Sequence, residues 1–337
     1  MKTFFKIISI LIFLAVLGVG FSFYAAVNMW KSPVAAELDI APGSSVKRIA
    51  RQLEEKQVIR TPHMFSAWVR LNNWESKLAA GYYEFDANMS LREVVNKIRK
   101  GEVKAFTFQV IEGTTLKDIA ANLAKQDFIP GQIAGDFLKL ARDKTFLKKL
   151  GFKNIPSLEG YIMADTYQIS KPRSAEAIIK EFLKLLPKFY NKTYEQRAKA
   201  LGMTRHDVLT LASIVEKETG KAEERPLVAS VFHNRLKKRM FLQSDPTIIY
   251  GLPNYDGNIR KKDITNPHRY NTYVHAGLPP GPIASVGREA IEAVLYPKES
   301  SYLYFVSRGD GSHKFSHSLS EHLQAVMEYQ IKPHRKK

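Results

Sequence analysis

The chain of 337 residues contains no cysteine at all. That absence excludes disulfides, thiol catalysis and a lipid-modified cysteine anchor in one step. It says nothing about compartment, because a cysteine-free protein can live in either redox environment. No Gly-x-Ser-x-Gly elbow is present, which argues against a serine hydrolase of that type. No His-Glu-x-x-His word is present either. His313, His317 and His322 lie close in sequence, with His268 and His275 upstream. Histidines scattered through a loop-rich stretch without a ligand pair at metal spacing are weak evidence for a metal enzyme.

Charge is missing from one further place. Between Ile7 and Met29 there is no charged residue. An uncharged apolar run of roughly 20 residues can cross a bilayer. Lys2 and Lys6 precede it and Trp30 follows it. Lysines mark the cytoplasmic side and an aromatic suits the far interface. The competing reading is a cleaved signal sequence, with Ala25-Ala26 as a cleavage site, but such segments have apolar cores of only ~7–15 residues. The expectation is therefore a cytoplasmic tail over 1–6 and a single transmembrane helix over 7–30, with everything later outside the cytoplasm. Elsewhere the chain is basic, with 51 Lys and Arg against 33 Asp and Glu, a net charge of +18. In a cytoplasmic protein this would suggest nucleic acid. In this topology the expected polyanions are lipid headgroups and the cell wall, and nucleic acid is not expected. A basic tail closes the chain over 331–337.

The segment after the apolar run contains a repeat. Leu38, Ile40, Gly43, Val46, Ile49, Ala50 and Leu53 match Phe108, Val110, Gly113, Leu116, Ile119, Ala120 and Leu123 in order and spacing. Ile59 and Ile129 end the two stretches. Each copy reads as a short strand, a glycine turn and a helix, with Ser44 or Ser45, and Thr114 or Thr115, as N-cap. Gly81-Tyr82 and Gly160-Tyr161 then each lead to a second amphipathic helix. The expectation is two related α+β modules, 31–105 and 106–190, the second carrying an insert around residues 137–156. The polar stretch 191–200 would close the second module, and an α+β catalytic domain would fill 191–330. The glycine–hydroxyl–hydroxyl word of the repeat also resembles the LysM module, which binds glycans containing N-acetylglucosamine; a plain spacer role fits the pattern equally well.

In the last third, Thr204 and Asp207 form a capping-box pattern. A helix follows through Val208, Leu211, Ala212 and Val215, with Gly220 as its natural stop. Glu216 and Glu218 fall on opposite flanks of its apolar stripe. A carboxyl on such a helix is a candidate general acid, because partial burial raises its pKa towards neutrality. Periodicity alone does not choose between the two.

Several words around this helix occur in a specific order: Ala212-Ser213-Ile214-Val215-Glu216-Lys217-Glu218-Thr219, Val231-Phe232-His233-Asn234-Arg235, Leu242-Gln243-Ser244-Asp245-Pro246-Thr247-Ile248-Ile249-Tyr250-Gly251, Tyr270-Asn271-Thr272-Tyr273, Gly277-Leu278-Pro279-Pro280-Gly281-Pro282 and Tyr302-Leu303-Tyr304-Phe305-Val306. They resemble the YceG-like family of endolytic murein transglycosylases, membrane-anchored enzymes that cut peptidoglycan strands. The resemblance spans about residues 30–330. It implies that Glu218 is the single acid/base, with Glu216 as a supporting residue. It also implies that Gln243, Asp245, Tyr250, Asn271 and Tyr273 surround the sugar, and that no cofactor is used. Asp245 is the candidate second carboxylate should the enzyme instead be a hydrolase. The proline-rich 278–282 loop could wall the groove. Tyr302 to Val306 reads as a strand, and Gly309-Asp310-Gly311 as a turn back towards Lys314-Phe315. The implied partners are glycan strands and peptidoglycan synthases of the penicillin-binding type, and the implied location is the inner, or cytoplasmic, membrane. The non-enzymatic rival is a membrane-anchored glycan-binding scaffold.

Overall fold

The computed structural model describes residues 2–332; Met1 and residues 333–337, which include the basic run at 335–337, lie outside the described residues. The chain falls into two compact units. One comprises residues 1–106 and 168–171, the other 107–167 and 172–337.

The first unit begins with one long apolar helix, α1 (Lys2–Asn28). Strand β1 (Ala36–Ile40) then pairs antiparallel with β2 (Gly81–Phe85), placing Leu38 opposite Tyr83. Between them run α2 (Val46–Glu55) and α3 (Pro62–Leu71), and after them α4 (Leu91–Lys100). Local chemistry sets these ends. The Ser45 hydroxyl accepts from Arg48 N–H at the start of α2. Ser90 and Glu93 close a full capping box on α4, whose last turn ends at Gly101 in the left-handed region. Each such cap contributes about 1 kcal/mol. The core is a single cluster in which Ile40, Leu53, Phe65, Val69, Tyr83, Phe85 and Ile98 are buried. Removing a large side chain such as Phe65 would cost about 3–5 kcal/mol.

The repeat read from sequence is present as geometry. Strand β3 (Ala105–Val110) leads through Gly113, φ +75°, into α5 (Leu116–Leu123), as β1 leads through Gly43, φ +74°, into α2. The cap in the second copy is Thr115, in a capping box with Asp118. Strand β3 pairs with β4 (Asp165–Ser170). Helix α6 (Gly131–Leu140) stands where α3 stands in the first copy, and the extra length of the second copy follows it, before Gly160, within the stretch read as an insert. That added stretch holds α7 (Lys144–Lys149), capped by Asp143. Helix α8 (Ala175–Leu183) follows, and Phe182 packs its ring against Phe108, Phe137 and Tyr167. The short α9 (Leu186–Phe189) comes next. The polar stretch 191–200 is not merely a boundary: it forms α10 (Lys192–Ala200), because Asn191 caps it and Tyr194 and Ala198 supply a buried face.

The remaining elements are mostly helical. They are α11 (Arg205–Glu218), α12 (Arg225–Lys237), α13 (Asp245–Gly251), α14 (Lys261–Ile264) and α15 (Arg288–Leu295). A hairpin of β5 (Tyr304–Ser307) and β6 (His313–Ser316) follows, then α16 (Leu319–Val326), which continues as a π-helical turn over Met327–Ile331. The hairpin strand starts two residues later than its aromatic run suggested, and Gly309 and Gly311 take the positive φ of its turn. Among the described residues the sheets are all two-stranded, so the fold is a mixed α and β one in which helices form most of the core.

Candidate active site

Helix α11 is apolar nearly all round: every residue from Val208 to Glu216 is buried. A helix of that kind sits inside a domain rather than on its surface. Thr204 and Asp207 start it with the expected capping box. Its end differs from the sequence reading. Gly220 does not adopt a left-handed C-cap; Thr219 turns the chain out in an extended conformation, φ −140° and ψ 130°, while its N–H bonds to Val215 O. The last helical residue is thus Glu218.

At ~100° per residue two positions apart face nearly opposite ways, and the structure gives the two glutamates different surroundings. Glu216 is turned into the core. Its Oε1 accepts from Arg225 Nη2 at 2.9 Å and its Oε2 from Gly287 N–H at 2.9 Å. Arg225 also bonds to Glu289 and lies 3.4 Å from Glu112. Glu216 therefore ties α11 to the start of α12 and to the segment before α15, and it does not reach the cavity described next. Burial raises its pKa, against the pull of the Gly287 N–H and the Arg225 charge.

Glu218 opens onto a cavity of about 740 Å³. Arg235, Gln243, Asp245, Tyr273 and Tyr304 share its lining, and α16 supplies Leu319 and Leu323 on another wall. Ser244 Oγ donates to Glu218 Oε1 at 2.5 Å. Burial pushes the Glu218 carboxyl up to about 7; the Asp245 charge adds to the rise, while the Ser244 hydrogen bond and Arg235 oppose it. Near neutral pH the group is therefore poised between acid and base, as a proton shuttle requires.

The far side of the site is built from loops, and hydrogen bonds hold them. Arg235 is the main brace. Its Nε donates to Leu303 O at 2.7 Å and its Nη1 to Leu242 O at 2.7 Å, and its guanidinium lies 5.1 Å from the centre of the Tyr304 ring. Gln243 has φ +50°, a left-handed backbone that a non-glycine residue adopts rarely. It is held there by its N–H on Thr272 O at 3.1 Å, and the next N–H, of Ser244, donates to Thr272 Oγ1 at 3.0 Å. That turn points the Ser244 hydroxyl at Glu218. Asp245 opens α13 and accepts from Tyr273 Oη at 2.7 Å. Burial raises the Tyr273 hydroxyl, and the Asp245 bond raises it further, so it stays a donor.

Of the residues singled out from sequence, Glu218, Gln243, Asp245 and Tyr273 come together. Three do not. Glu216 serves the ion network. Asn271 is fully buried; its amide donates to Asp263, Ile264 and Asn266 carbonyls and its Oδ1 accepts from Tyr273 N–H, so it shapes the loop behind the cavity. Tyr250 donates to Glu159 Oε2 at 3.0 Å and packs on Tyr270, so it braces α13 from behind. The 278–282 loop is likewise no part of the cavity lining. Pro280 O bonds to His206 Nε2 and Pro282 lies against Gly160. Ser244 and Arg235 lay inside the quoted words, yet nothing in spacing distinguishes a cavity-facing serine from its neighbours. Among the histidines, His313 pairs with Glu224 at 2.6 Å, His322 stacks on Tyr304 and His317 packs on Tyr302.

With this geometry in place, comparison with known proteins is decisive about kinship. The YceG-like family model matches residues 38–328. The chain belongs to the YceG-like family. An endolytic murein transglycosylase of Bacillus subtilis is 35% identical over 88% of this chain and 86% of its own. A protein of the same name from Streptococcus pneumoniae is 32% identical over 96% of this chain and 65% of its own. A crystal structure of a YceG-like protein from Listeria monocytogenes aligns with a TM-score of 0.58 at 34% identity, covering 86% of this chain and 98% of the other. Glu218, Ser244 and the loops around them fall within the matched YceG-like region.

Proposed function

We propose that this chain is a membrane-anchored endolytic peptidoglycan transglycosylase. It would cleave the β-1,4 bond between N-acetylmuramic acid and N-acetylglucosamine inside a glycan strand and leave a 1,6-anhydro end. The observation that carries the reading is Glu218: one carboxyl, raised to about 7, held by Ser244 at the wall of a cavity that a sugar chain can enter. The names of the Bacillus and Streptococcus relatives support it.

In this mechanism protonated Glu218 gives its proton to the departing glycosidic oxygen, and the bond from that oxygen to C1 of the muramic residue breaks. The positive charge that develops on the sugar is met by Asp245 and by the Tyr273 and Gln243 oxygens. Glu218, now a carboxylate, takes the proton of the C6 hydroxyl as that oxygen closes on C1. One bond to C1 breaks, one forms, the carboxyl returns to its starting state and no water enters. A single carboxyl with a pKa near working pH suits both halves of the cycle.

Helix α1, with its apolar window over Phe4–Asn28, supports a single-pass anchor. We place the N-terminus in the cytoplasm and the bulk outside the inner membrane. Tethering concentrates the enzyme on strands near their polymerases, which favours nascent glycan as substrate, synthases as partners and strand termination as the role. In this reading residues 31–105 and 106–190 are two related α+β modules of LysM-like pattern, and 191–330 carry the chemistry.

The test is mass spectrometry of purified strands after incubation with the detergent-solubilised chain and its Glu218→Gln variant. Internal fragments with 1,6-anhydro ends, absent with the variant, are expected. Reducing ends would refute the lytic step and move attention to Asp245 as a second catalytic carboxylate. Binding without cleavage would refute the enzyme and favour a scaffold.

A further inference from the structure

The first compact unit carries a surface whose position along α1 can be read from contacts. At the end of α1, Ala25, Ala26 and Met29 line a cavity together with Met64 of α3. One turn further along α3, Trp68 meets Phe23, with ring centres 6.1 Å apart. Helix α3 therefore runs back alongside α1, from the level of residues 25–29 down to that of residue 23. The next turn of α3 ends in Leu71, which is 70% exposed, and Trp74 packs edge-on against Trp68 at 6.3 Å. Val27 is fully buried in the same unit, so the end of α1 is fixed to it rather than hinged.

This fixes where a bilayer surface would fall. A hydrocarbon core of ~30 Å takes about 20 helical residues. Counted from Phe4, where the apolar window begins, the span runs out near Phe23; counted from Ile7, after Lys6, it runs out near Val27. The first origin puts Trp68 at the hydrocarbon boundary and the second puts it about 6 Å inside; both leave Leu71 on the lipid side. The cations nearby complete the pattern. Arg92 lies 5.4 Å over the Trp68 ring and Arg99 4.6 Å over Trp74, while Arg70, exposed beside Leu71, is ion-paired with Glu75 at 3.4 Å. Indoles with apolar bodies and polar edges favour this zone, and guanidinium groups beside it attract anionic headgroups.

We propose that the first unit docks on the membrane surface through the C-terminal end of α3 and the turn to Trp74. Leu71, Trp68 and Trp74 sit at the boundary of the outer leaflet, and Arg92 and Arg99 engage anionic phospholipid headgroups. The inference rests on α1 crossing the bilayer. It gives the anchor a fixed, interfacially seated base.

The sequence makes the test direct, because its only tryptophans are Trp30, Trp68 and Trp74. The full chain with Trp30→Phe and Trp74→Phe, leaving Trp68 as sole reporter, is reconstituted in vesicles of phosphatidylcholine with or without phosphatidylglycerol. Part of the phosphatidylcholine carries bromine near the head of its acyl chains. Flotation with the vesicles reports insertion of α1, and bromine quenching reports docking. The expected result is flotation with at least twofold quenching of Trp68, stronger with phosphatidylglycerol. Leu71→Asp, a surface change that leaves the core intact, should float and lose at least half of that quenching. Flotation with unquenched Trp68, or quenching indifferent to Leu71→Asp, overturns the docking alone. Quenching equal in both lipid mixtures overturns the headgroup contact. Failure to float overturns the spanning reading, and the docking with it.

Discussion

Replacing Glu218 by glutamine should stabilise the protein by an amount that depends on pH. The carboxyl moves from an ordinary 4.5 to about 7 in the folded state because burial penalises its charge. A folded-state pKa above the unfolded one means that the folded chain binds more protons, so this group's contribution falls as pH rises from 4.5 to 7. At ~1.4 kcal/mol per pH unit the full cost of charging it is about 3 kcal/mol. The amide never ionises and still accepts from Ser244 Oγ. The variant and the parent should therefore match near pH 4. The variant should gain steadily between pH 4.5 and 7 and stay ahead by up to about 3 kcal/mol above that. For a unit of this size, that shift corresponds to a Tm difference of several degrees. Thermal unfolding in detergent at pH 4, 5.5, 7 and 8.5, following the transition of the second unit, measures it. Activity should move oppositely: it vanishes with Glu218→Gln, and in the parent it falls as pH rises through about 7 and the acid loses its proton. A stability difference that is constant with pH, or a variant less stable at pH 8.5, would show that the carboxyl is not held in a desolvated site.

Three further outcomes follow from the same geometry. Ser244→Ala removes a hydrogen bond that favours the charged carboxylate, so the Glu218 pKa should rise; the alkaline limb of the rate profile should move to higher pH while substrate KM changes little. Arg225→Ala leaves Glu216 buried without its cation and frees Glu289 and Glu112. Breaking a buried pair in this way costs about 3–5 kcal/mol, readable as a lower denaturant midpoint at pH 7. Asn271→Ala removes the donor to three carbonyls and the acceptor of Tyr273 N–H. Two or more buried groups left unpaired predict a loss of about 2–4 kcal/mol, with kcat falling because Tyr273 and its bond to Asp245 are displaced.

What could be read from the sequence was what local chemistry decides. The repeat of strand, glycine turn and capped helix is dictated by side chains a few residues apart, and Ser45, Thr115 and the Thr204–Asp207 box behave as their spacing demands. The helix bearing Glu218 was legible for the same reason. The site's loops were not. Gln243 and Asn271 are both polar residues in motifs near the glutamate, yet one lines the cavity and the other is wholly consumed by backbone carbonyls. That difference arises from Arg235 and Thr272, which pin the 242–244 segment from two separate elements, and no spacing rule encodes it. Glu216 and Glu218 were separable by face but not by role. The sequence does not say that Arg225, nine residues on, turns back to neutralise the first.

The two copies of the repeat have diverged in a way that bears on which can still act as a module. In the second copy the glycine turn is engaged: Gly113 N–H bonds to Ser285 O, Ser285 N–H to Thr114 O, and Lys217 Nζ to Gly113 O. Glu159 goes further. It accepts from Leu116 N–H at the start of α5 and from Tyr250 Oη in α13, so one buried carboxyl, pushed up to about 7 by burial, joins the copy to the helix that presents Asp245. The equivalent position before Gly81-Tyr82 in the first copy is Ala80, which can make no such bond. There the Gly43 turn has open space around it. A duplicated unit whose turn and helix start are stitched to the region around Glu218 has become part of that region's scaffold. The first copy, free of those bonds, keeps its turn accessible, and its separate compact core ties it to α1.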